Sequence, residues 1–263
     1  MTPPIVLLTD FGLKDHYVGV LKGVIFSILP GARVVDLSHG VEPQNILQAA
    51  SLLEISYSYF PMESIFVCVV DPGVGTSRKI VCAKTRNYYF LGPDNGVLSL
   101  ALNHERPVEI RSVENRKFYS RLTPSATFHG RDIISPSAAH LAKDPKVLAQ
   151  LGPRMTKIHE LKIPVVKKLN ARLEGEILYF DHFGNAITNI HRGVAEEAFW
   201  RRAEVRVREM SLGNLRSTYG AGPRTLTALF NSASQLEIAL PQGSARVAGS
   251  LEVGDSVILT VRP

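Results

Sequence analysis

The chain has 263 residues, of which 45% are hydrophobic and 21% are charged, and it carries a formal net charge of +6. This is the composition of an ordinary globular protein with room for one large domain or two modest ones. The positive charge forms no stripe or tail, since the longest basic runs are pairs such as Lys167-Lys168 and Arg201-Arg202. We therefore expect a solvated mixed surface and no nucleic-acid partner.

The sequence also predicts a cytoplasmic protein without a membrane partner. No apolar segment approaches the roughly 20 residues needed to cross a bilayer. The chain enters the strand-like run Ile5–Leu8 without a basic leader before it. Cys68 and Cys82 lie inside apolar runs with no zinc-binding spacing, so we expect buried, reduced thiols.

The first part of the chain alternates strand-like and helical segments. The predicted elements are a strand at 5–8, a helix at 15–29, a strand at 34–37, a helix at 45–59 and a strand at 65–70. A strand pair at 79–84 and 88–91, a short helix at 97–102, a polar irregular stretch and a helix with Pro136 near its first turn follow. This alternation predicts an α/β N-terminal domain with a mostly parallel sheet, over residues 1–155.

The pattern changes near residues 152–164, where Gly152-Pro153 and Ile163-Pro164 precede β-rich sequence. Alternating or β-branched segments then follow at 175–180, 186–190, 203–208, 225–230, 235–240 and 256–261. Helical periodicity is nearly absent and glycine turns recur. We predict an all-β, barrel-like C-terminal domain over residues 165–263.

Asp71 directly follows the third predicted strand, and a turn rich in glycine returns Arg78 toward it. Ligands bind at the carboxyl ends of strands in open α/β sheets, so this pair is a candidate site. Asp10 has the same placement after the first strand. Two such carboxylates suit a ribose diol, a metal ion, or the capping of the following segment.

A third cluster, His129-Gly130-Arg131-Asp132, precedes a predicted helix. His129 is a candidate reactant, whereas we expect Asp132 to act as a cap or a support for its neighbours. The serine-hydrolase elbow, the phosphate-binding loop and the dinucleotide fingerprint do not occur after any strand. In the β-rich half, the stretches 181–190 and 231–239 are the polar candidates for a ligand rim.

Six motifs taken together resemble one family over nearly the whole chain. They are Thr9-Asp10-Phe11-Gly12, the loop from Asp71 to Arg78, Gly92-Pro93-Asp94-Asn95-Gly96, Thr127 to Asp132, Asp181 to Ile190, and Asn231-Ser232. The sequence is similar to the S-adenosyl-L-methionine (SAM) hydrolases, or SAM hydroxide adenosyltransferases, relatives of fluorinase and chlorinase. The halogenating relatives carry Tyr at the place of Asp71 and Tyr-Ser in place of His129-Gly130, so this chain resembles the hydrolases.

The resemblance implies an enzyme that splits SAM into adenosine and L-methionine without a metal or other cofactor. It implies the catalytic residues Asp71, Arg78 and His129, with Asp10 on the ribose hydroxyls. The other implied substrate-binding residues are Asp181, Phe183, Asn185, Ser232, Glu237 and Ala239. It further implies a homotrimer in which each site lies between the first domain of one subunit and the second domain of its neighbour.

The residue types suit this hydrolysis, because Asp71 and His129 could each take a proton from water while Arg78 holds Asp71. Two alternatives stay open at the level of the sequence. One is a metal-dependent nucleoside or phosphoester hydrolase that uses Asp10, Asp71 and His129 as ligands. The other is an adenosyl-binding trimer without turnover.

Overall fold

The computed structural model describes residues 2–261, and its internal contacts separate into two units between Leu161 and Lys162. The N-terminal unit has two hydrophobic cores, one on each side of a central sheet. The described residues of the C-terminal unit form one core, which a curved antiparallel sheet encloses.

The central sheet of the N-terminal unit has the strand order β2-β1-β3-β5-β4-β6. Its strands are β1 (Ile5–Thr9), β2 (Val34–Ser38), β3 (Ile65–Val69), β4 (Ile80–Lys84), β5 (Tyr89–Pro93) and β6 (Glu109–Ser112). Side chains alternate across a strand, so Ile5 and Leu7 enter one core while Val6 and Leu8 enter the other. Burial on both faces explains why β1 and β3 are continuous apolar runs.

The expected mostly parallel sheet is in fact mixed. β1 pairs in parallel with β2 and β3, and β3 pairs in parallel with β5, but β4 runs antiparallel to both β5 and β6. The reason lies in the connections: only a few residues link β4 to β5, too few for the crossover that parallel neighbours require. β6 lies in the stretch that the sequence predicted to be irregular.

Helices cover both faces of this sheet. They are α1 (Tyr17–Ile28), α2 (Ile46–Ser56), α3 (Ser99–His104) and α4 (Ser135–Lys143), with short 3₁₀ turns at Tyr57–Tyr59, Arg116–Phe118 and Pro145–Gln150 and a π turn at Gly130–Ile134. α1 and α4 contribute to one core, α2 and α3 to the other. Asn45 caps α2 by accepting a 2.9 Å hydrogen bond from the Gln48 amide. In the part of the chain that the structure describes, no helix is long and apolar enough to cross a membrane.

The C-terminal unit is an antiparallel, nearly closed barrel with the strand order β11-β10-β14-β8-β9-β13-β12, and β7 pairs with β8. Its strands are β7 (Lys167–Leu169), β8 (Arg172–Phe180), β9 (Ala186–His191), β10 (Ala203–Val207), β11 (Met210–Asn214), β12 (Thr227–Phe230), β13 (Gln235–Ala239) and β14 (Ser256–Val261). Two short helices, α5 (Glu197–Trp200) and α6 (Ala245–Ala248), lie between strands. β11 and β12 are the two edge strands of this sheet. Just after β11, the Arg216 amide donates to the Ala228 carbonyl of β12 at 2.9 Å and brings the two edges together.

The barrel-like character expected of the C-terminal half is confirmed, although β7 and β11 were not predicted. Both are short edge elements with largely exposed residues. Every residue of β7 is exposed, and β11 packs Met210 and Leu212 against the core, an alternation too short to give a clear strand signal. Their pairing with β8 and β10 decides their conformation.

Candidate active site

Asp71 stands just beyond the end of β3, and a tight loop turns the chain back toward it. The Val74 amide donates to the Asp71 carbonyl at 3.2 Å, and the Thr76 amide donates to the Gly73 carbonyl at 3.1 Å. Gly75 has a φ of +82°, and a Cβ on it would lie 2.5 Å from the Ala126 carbonyl oxygen. Glycine is therefore required at this position, both for its backbone angle and for the close approach.

The loop delivers the Arg78 guanidinium between two other polar side chains. Its Nε donates to Asp71 Oδ1 at 2.8 Å, and its Nη2 donates to Asp71 Oδ2. The same Nη2 lies 2.8 Å from His129 Nδ1. The side chains of Asp71 and Arg78 are only 6% and 10% exposed. Arg78 thus joins the three predicted catalytic residues into one hydrogen-bonded group, as a bidentate partner of the carboxylate.

The contact with Arg78 fixes the protonation of His129. A guanidinium can only donate, so Nδ1 must accept, and the neutral ring carries its hydrogen on Nε2. Burial, and then the positive charge of Arg78, lower the pKa of His129 below 6.5, although Asp71 and Asp132 act in the opposite direction. The ring also bonds to the backbone of Ser125. His129 is therefore neutral at pH 7, with its Nδ1 lone pair occupied.

Asp132 organises the segment that carries His129. It is fully buried and accepts two hydrogen bonds from Arg131, at 2.6 and 2.8 Å, and one from the Ser125 amide at 2.7 Å. Burial opposes its ionisation, but these hydrogen bonds outweigh that effect and lower the pKa of Asp132. The π turn Gly130–Ile134 starts directly after His129, and such turns are frequent at functional sites. The predicted supporting role of Asp132 agrees with this geometry.

Asp10 lies in the same cavity as Asp71 and His129. The cavity has a volume of about 440 Å³ and is also lined by Phe11, Tyr17, Pro43, Gln44, Val69, Pro72, Val74, Thr127, Phe128 and Gly130. The Gln44 amide donates to Asp10 Oδ2 at 2.8 Å from a left-handed backbone conformation, with a φ of 66°. Among residues 2–261, no group of three or more His, Cys, Asp and Glu side chains is arranged to hold a metal ion.

The C-terminal unit has a second cavity of about 510 Å³. It is lined by Phe183, Asn185, Tyr219, Gly220, Leu240, Pro241, Gln242 and Gly243. Asp181 supports this lining from the β8–β9 turn. Its Oδ1 accepts hydrogen bonds from the backbone amides of Phe183 and Asn185, and its Oδ2 accepts one from Asn185 Nδ2 at 2.9 Å. Asp181 engages the side-chain nitrogen of Asn185, so Asn185 contributes its oxygen, a hydrogen-bond acceptor, to the cavity lining.

The remaining predicted residues of the C-terminal unit differ in their surroundings. Glu237 is 2% exposed and accepts a 2.6 Å hydrogen bond from the Tyr219 hydroxyl. Burial raises the pKa of Glu237, and the charge of Asp181 adds to this effect. Ala239 is buried at the end of β13, whereas Ser232 is exposed and does not line the 510 Å³ cavity.

Three residues that shape these cavities were not predicted as site residues. Asn95 donates from Nδ2 to the Val70 carbonyl at 2.9 Å, directly before Asp71, and its motif was the signal that could have found it. Gln44 acts through its backbone amide, so its side chain gives no sequence signal. Tyr219 lies in a glycine-rich loop far along the chain from its partner Glu237.

Comparison with known proteins decides the family. Residues 5–152 match the SAM hydroxide adenosyltransferase N-terminal domain, and residues 175–258 match the corresponding C-terminal domain. The chain belongs to the SAM hydroxide adenosyltransferase family. The resemblance inferred from the six sequence motifs is thereby confirmed.

Individual proteins match over 74% to 99% of their length. An (R)-S-adenosyl-L-methionine hydrolase of Thermus thermophilus is 38% identical, over 97% of this chain and 99% of the relative. The crystal structure of an uncharacterized conserved protein from Thermotoga maritima has a TM-score of 0.88 at 38% identity, over 97% of this chain and 99% of that one. A fluorinase of an Actinoplanes species is more distant, at 26% identity over 74% of each chain.

The electrostatics of the triad can be tested by titrating His129 with NMR on protein labelled in its histidine rings. We expect a pKa below 6.5 in the unaltered protein, because burial and the Arg78 cation both oppose protonation. Arg78→Gln should raise the pKa of His129 by removing that cation, and Asp71→Asn should lower it further by removing a favourable anion. Shifts of the same sign in both variants would contradict the arrangement.

Proposed function

We propose that this chain hydrolyses SAM to adenosine and L-methionine, with water attacking the ribose C5′ opposite the departing sulfur. The observation that carries the proposal is that Asp71 and His129, which Arg78 joins by hydrogen bonds, line one cavity together with Asp10 in a member of this family. The hydrolase activity named for the Thermus thermophilus relative agrees with it.

The reaction needs little besides a placed water and a proton acceptor. The sulfonium of SAM leaves as a neutral thioether, so the leaving group needs no acid. Attack by a hydroxide-like oxygen on a cation disperses charge, which a site shielded from bulk water favours. Alignment of water with C5′ can supply several of the roughly 7–11 kcal/mol that good positioning provides.

Asp71 is the proposed proton acceptor. Each of its oxygens accepts one hydrogen bond from Arg78, and a carboxylate oxygen has a second lone pair for the attacking water. His129 is less suited to accept, because its Nδ1 lone pair is occupied by Arg78. We propose that His129 instead holds Arg78, which stabilises Asp71 and the developing hydroxide.

The other predicted residues are proposed to bind the substrate. Asp10 Oδ2 is held by Gln44, which leaves Oδ1 for the ribose hydroxyls. In the C-terminal cavity, the hydrogen-bond acceptors Asn185 and Tyr219 are backed by the carboxyl groups of Asp181 and Glu237. Such a lining favours donor groups of the ligand, and SAM carries an exocyclic amine and an ammonium group. Phe183, Ser232 and Ala239 complete the proposed set by family resemblance.

We further propose that the protein is a cytoplasmic homotrimer, with each site shared between neighbouring subunits. The family resemblance supports this, as does the division of candidate residues between the two units of the chain. A ring of heterologous contacts repeats one interface without leaving an open end.

Substitution at the proposed site should separate chemistry from binding. Asp71→Asn should lower kcat by at least about 100-fold, the usual scale for a positioned acid–base group. His129→Ala should also lower kcat by at least about 100-fold, because Arg78, which stabilises the developing hydroxide, loses the partner that holds it. Asp10→Ala should mainly raise KM. Chromatography of adenosine and methionine formed from SAM measures both effects, with a chelator-treated sample as the control for a metal-dependent reaction. Normal turnover by Asp71→Asn would refute the assignment of the base.

The source of the new oxygen distinguishes hydrolysis from halogenation. We expect adenosine formed in ¹⁸O-labelled water to carry the label on its 5′ oxygen, because the Asp71 carboxylate repels halide anions and accepts hydrogen bonds from water. Mass spectrometry of adenosine measures this, and a parallel sample with excess chloride or fluoride should give no halogenated nucleoside. Unlabelled adenosine would exclude the proposed attack.

Subunit mixing tests whether the sites are shared. Asp71→Ala disables the first unit, and a variant with both Asn185→Ala and Ser232→Ala should disable the second. When inactive trimers of the two kinds are unfolded and refolded together in equal amounts, about a quarter of the heterologous contacts should pair two intact halves. Recovered activity would support shared sites, whereas sites within single subunits would give none.

A further inference from the structure

A line of polar side chains extends from the end of β1, beside Asp10, through the buried His39 to Asp36 and Lys22 at the surface. Thr9 is fully buried, and its Oγ1 lies 2.8 Å from Nδ1 of the buried His39. His39 Nε2 lies 3.0 Å from Asp36 Oδ1, a short contact that falls outside linear hydrogen-bond geometry. Asp36 Oδ2 in turn accepts from Lys22 Nζ at 2.6 Å. The catalytic proposal uses none of these four side chains.

The direction of each hydrogen bond in this line follows from its ends. The Phe11 amide can only donate, and it donates to Thr9 Oγ1 at 3.2 Å. At the other end the Asp36 carboxylate can only accept, so the neutral His39 ring carries its hydrogen on Nε2, facing Asp36. Nδ1 then accepts from the Thr9 hydroxyl. Burial opposes ionisation of Asp36, but the hydrogen bond from Lys22 and the nearby His39 ring outweigh it and lower the pKa of this carboxyl.

This line holds the backbone on both sides of Asp10. Thr9 precedes Asp10, and its hydroxyl holds the amide of Phe11, which follows Asp10. The backbone of His39 adds a second tie, since its carbonyl accepts the Gly12 amide at 2.8 Å. The loop that begins at His39 continues to Gln44, whose amide donates a hydrogen bond to Asp10 Oδ2. The direction of the free Asp10 oxygen therefore depends on how Thr9 and His39 join β1 to this loop.

We propose that Thr9 and His39 are positioning residues that aim the Asp10 carboxylate, and that they thereby determine the preference of the site for a ribose over a 2′-deoxyribose. This inference rests on the proposed function, in which Asp10 binds the ribose hydroxyls. Neither residue touches the substrate, and both act through the backbone around Asp10.

The test compares the affinities of adenosine and 2′-deoxyadenosine by calorimetry on the assembled protein. Thr9→Val keeps the shape of the side chain but removes the hydroxyl. It should reduce the preference for adenosine by about tenfold, the scale of one hydrogen bond to a charged group. Thr9→Ser restores the hydroxyl and should restore the preference. His39→Leu interrupts the line at the next residue and should reduce the preference in the same way. It replaces Thr9→Val in the test if the Thr9 variant does not fold.

Two controls separate positioning from a general loss of stability. Thr85 is also fully buried, and its hydroxyl accepts the amides of Asn87 and Tyr88. Thr85→Val should lower the melting temperature and leave the ribose preference unchanged. In the Asp10→Ala background, Thr9→Val should have no further effect on the preference, because the group that it aims is gone.

The outcomes are distinct. An unchanged preference in both Thr9→Val and His39→Leu, or an equal loss in Thr85→Val, would overturn the positioning role. Failure of the proposed function would appear instead in the unaltered protein, as adenosine binding without conversion of SAM. In that case the ratio of the two affinities still tests the role of Thr9 and His39.

Discussion

The Arg78 guanidinium is the group on which the N-terminal site depends. The Arg78 side chain lies between a carboxylate and an imidazole and is 10% exposed. Little water reaches its positive charge, so these two partners supply the hydrogen bonds that water would otherwise make. Removing one partner of such a buried pair leaves an uncompensated charge and costs about 3–5 kcal/mol. The sharp loop with Gly75 and the fixed positions of Asp71 and His129 are the structural conditions for this arrangement.

The same guanidinium divides the roles of its two partners. Arg78 occupies one lone pair on each Asp71 oxygen but leaves the second, so the carboxylate keeps its capacity to accept a proton. It occupies the single lone pair of the neutral His129 ring, so that ring loses its capacity. Two residues that both look like bases in the sequence therefore differ in what they can do. The difference arises from one shared donor.

The site is supported by partly buried hydrogen bonds from side chains to backbone groups. Asn95 holds the carbonyl just before Asp71, Asp132 holds the amide of Ser125 before His129, and Thr9 holds the amide just after Asp10. Each of these contacts fixes the chain rather than the reacting side chain. The sheet orders the ends of β1 and β3, which carry Asp10 and Asp71, and the buried Asp132 orders the segment that carries His129.

The sequence by itself determined the elements whose signal is local. The apolar runs of β1 and β3 and the helical spacing of Val18, Leu21 and Ile25 predicted their conformations because burial and periodicity coincide there. The Asp71, Arg78 and His129 motifs identified the family for a similar reason, since each is a short contiguous stretch. The tertiary structure alone decided the reversed direction of β4 and the tautomer of His129. It also decided the left-handed backbone of Gln44, whose amide holds Asp10, and the pairing of Tyr219 with Glu237. These features depend on partners distant in the sequence or on the path of the backbone, and neither is encoded in the pattern of neighbouring residues.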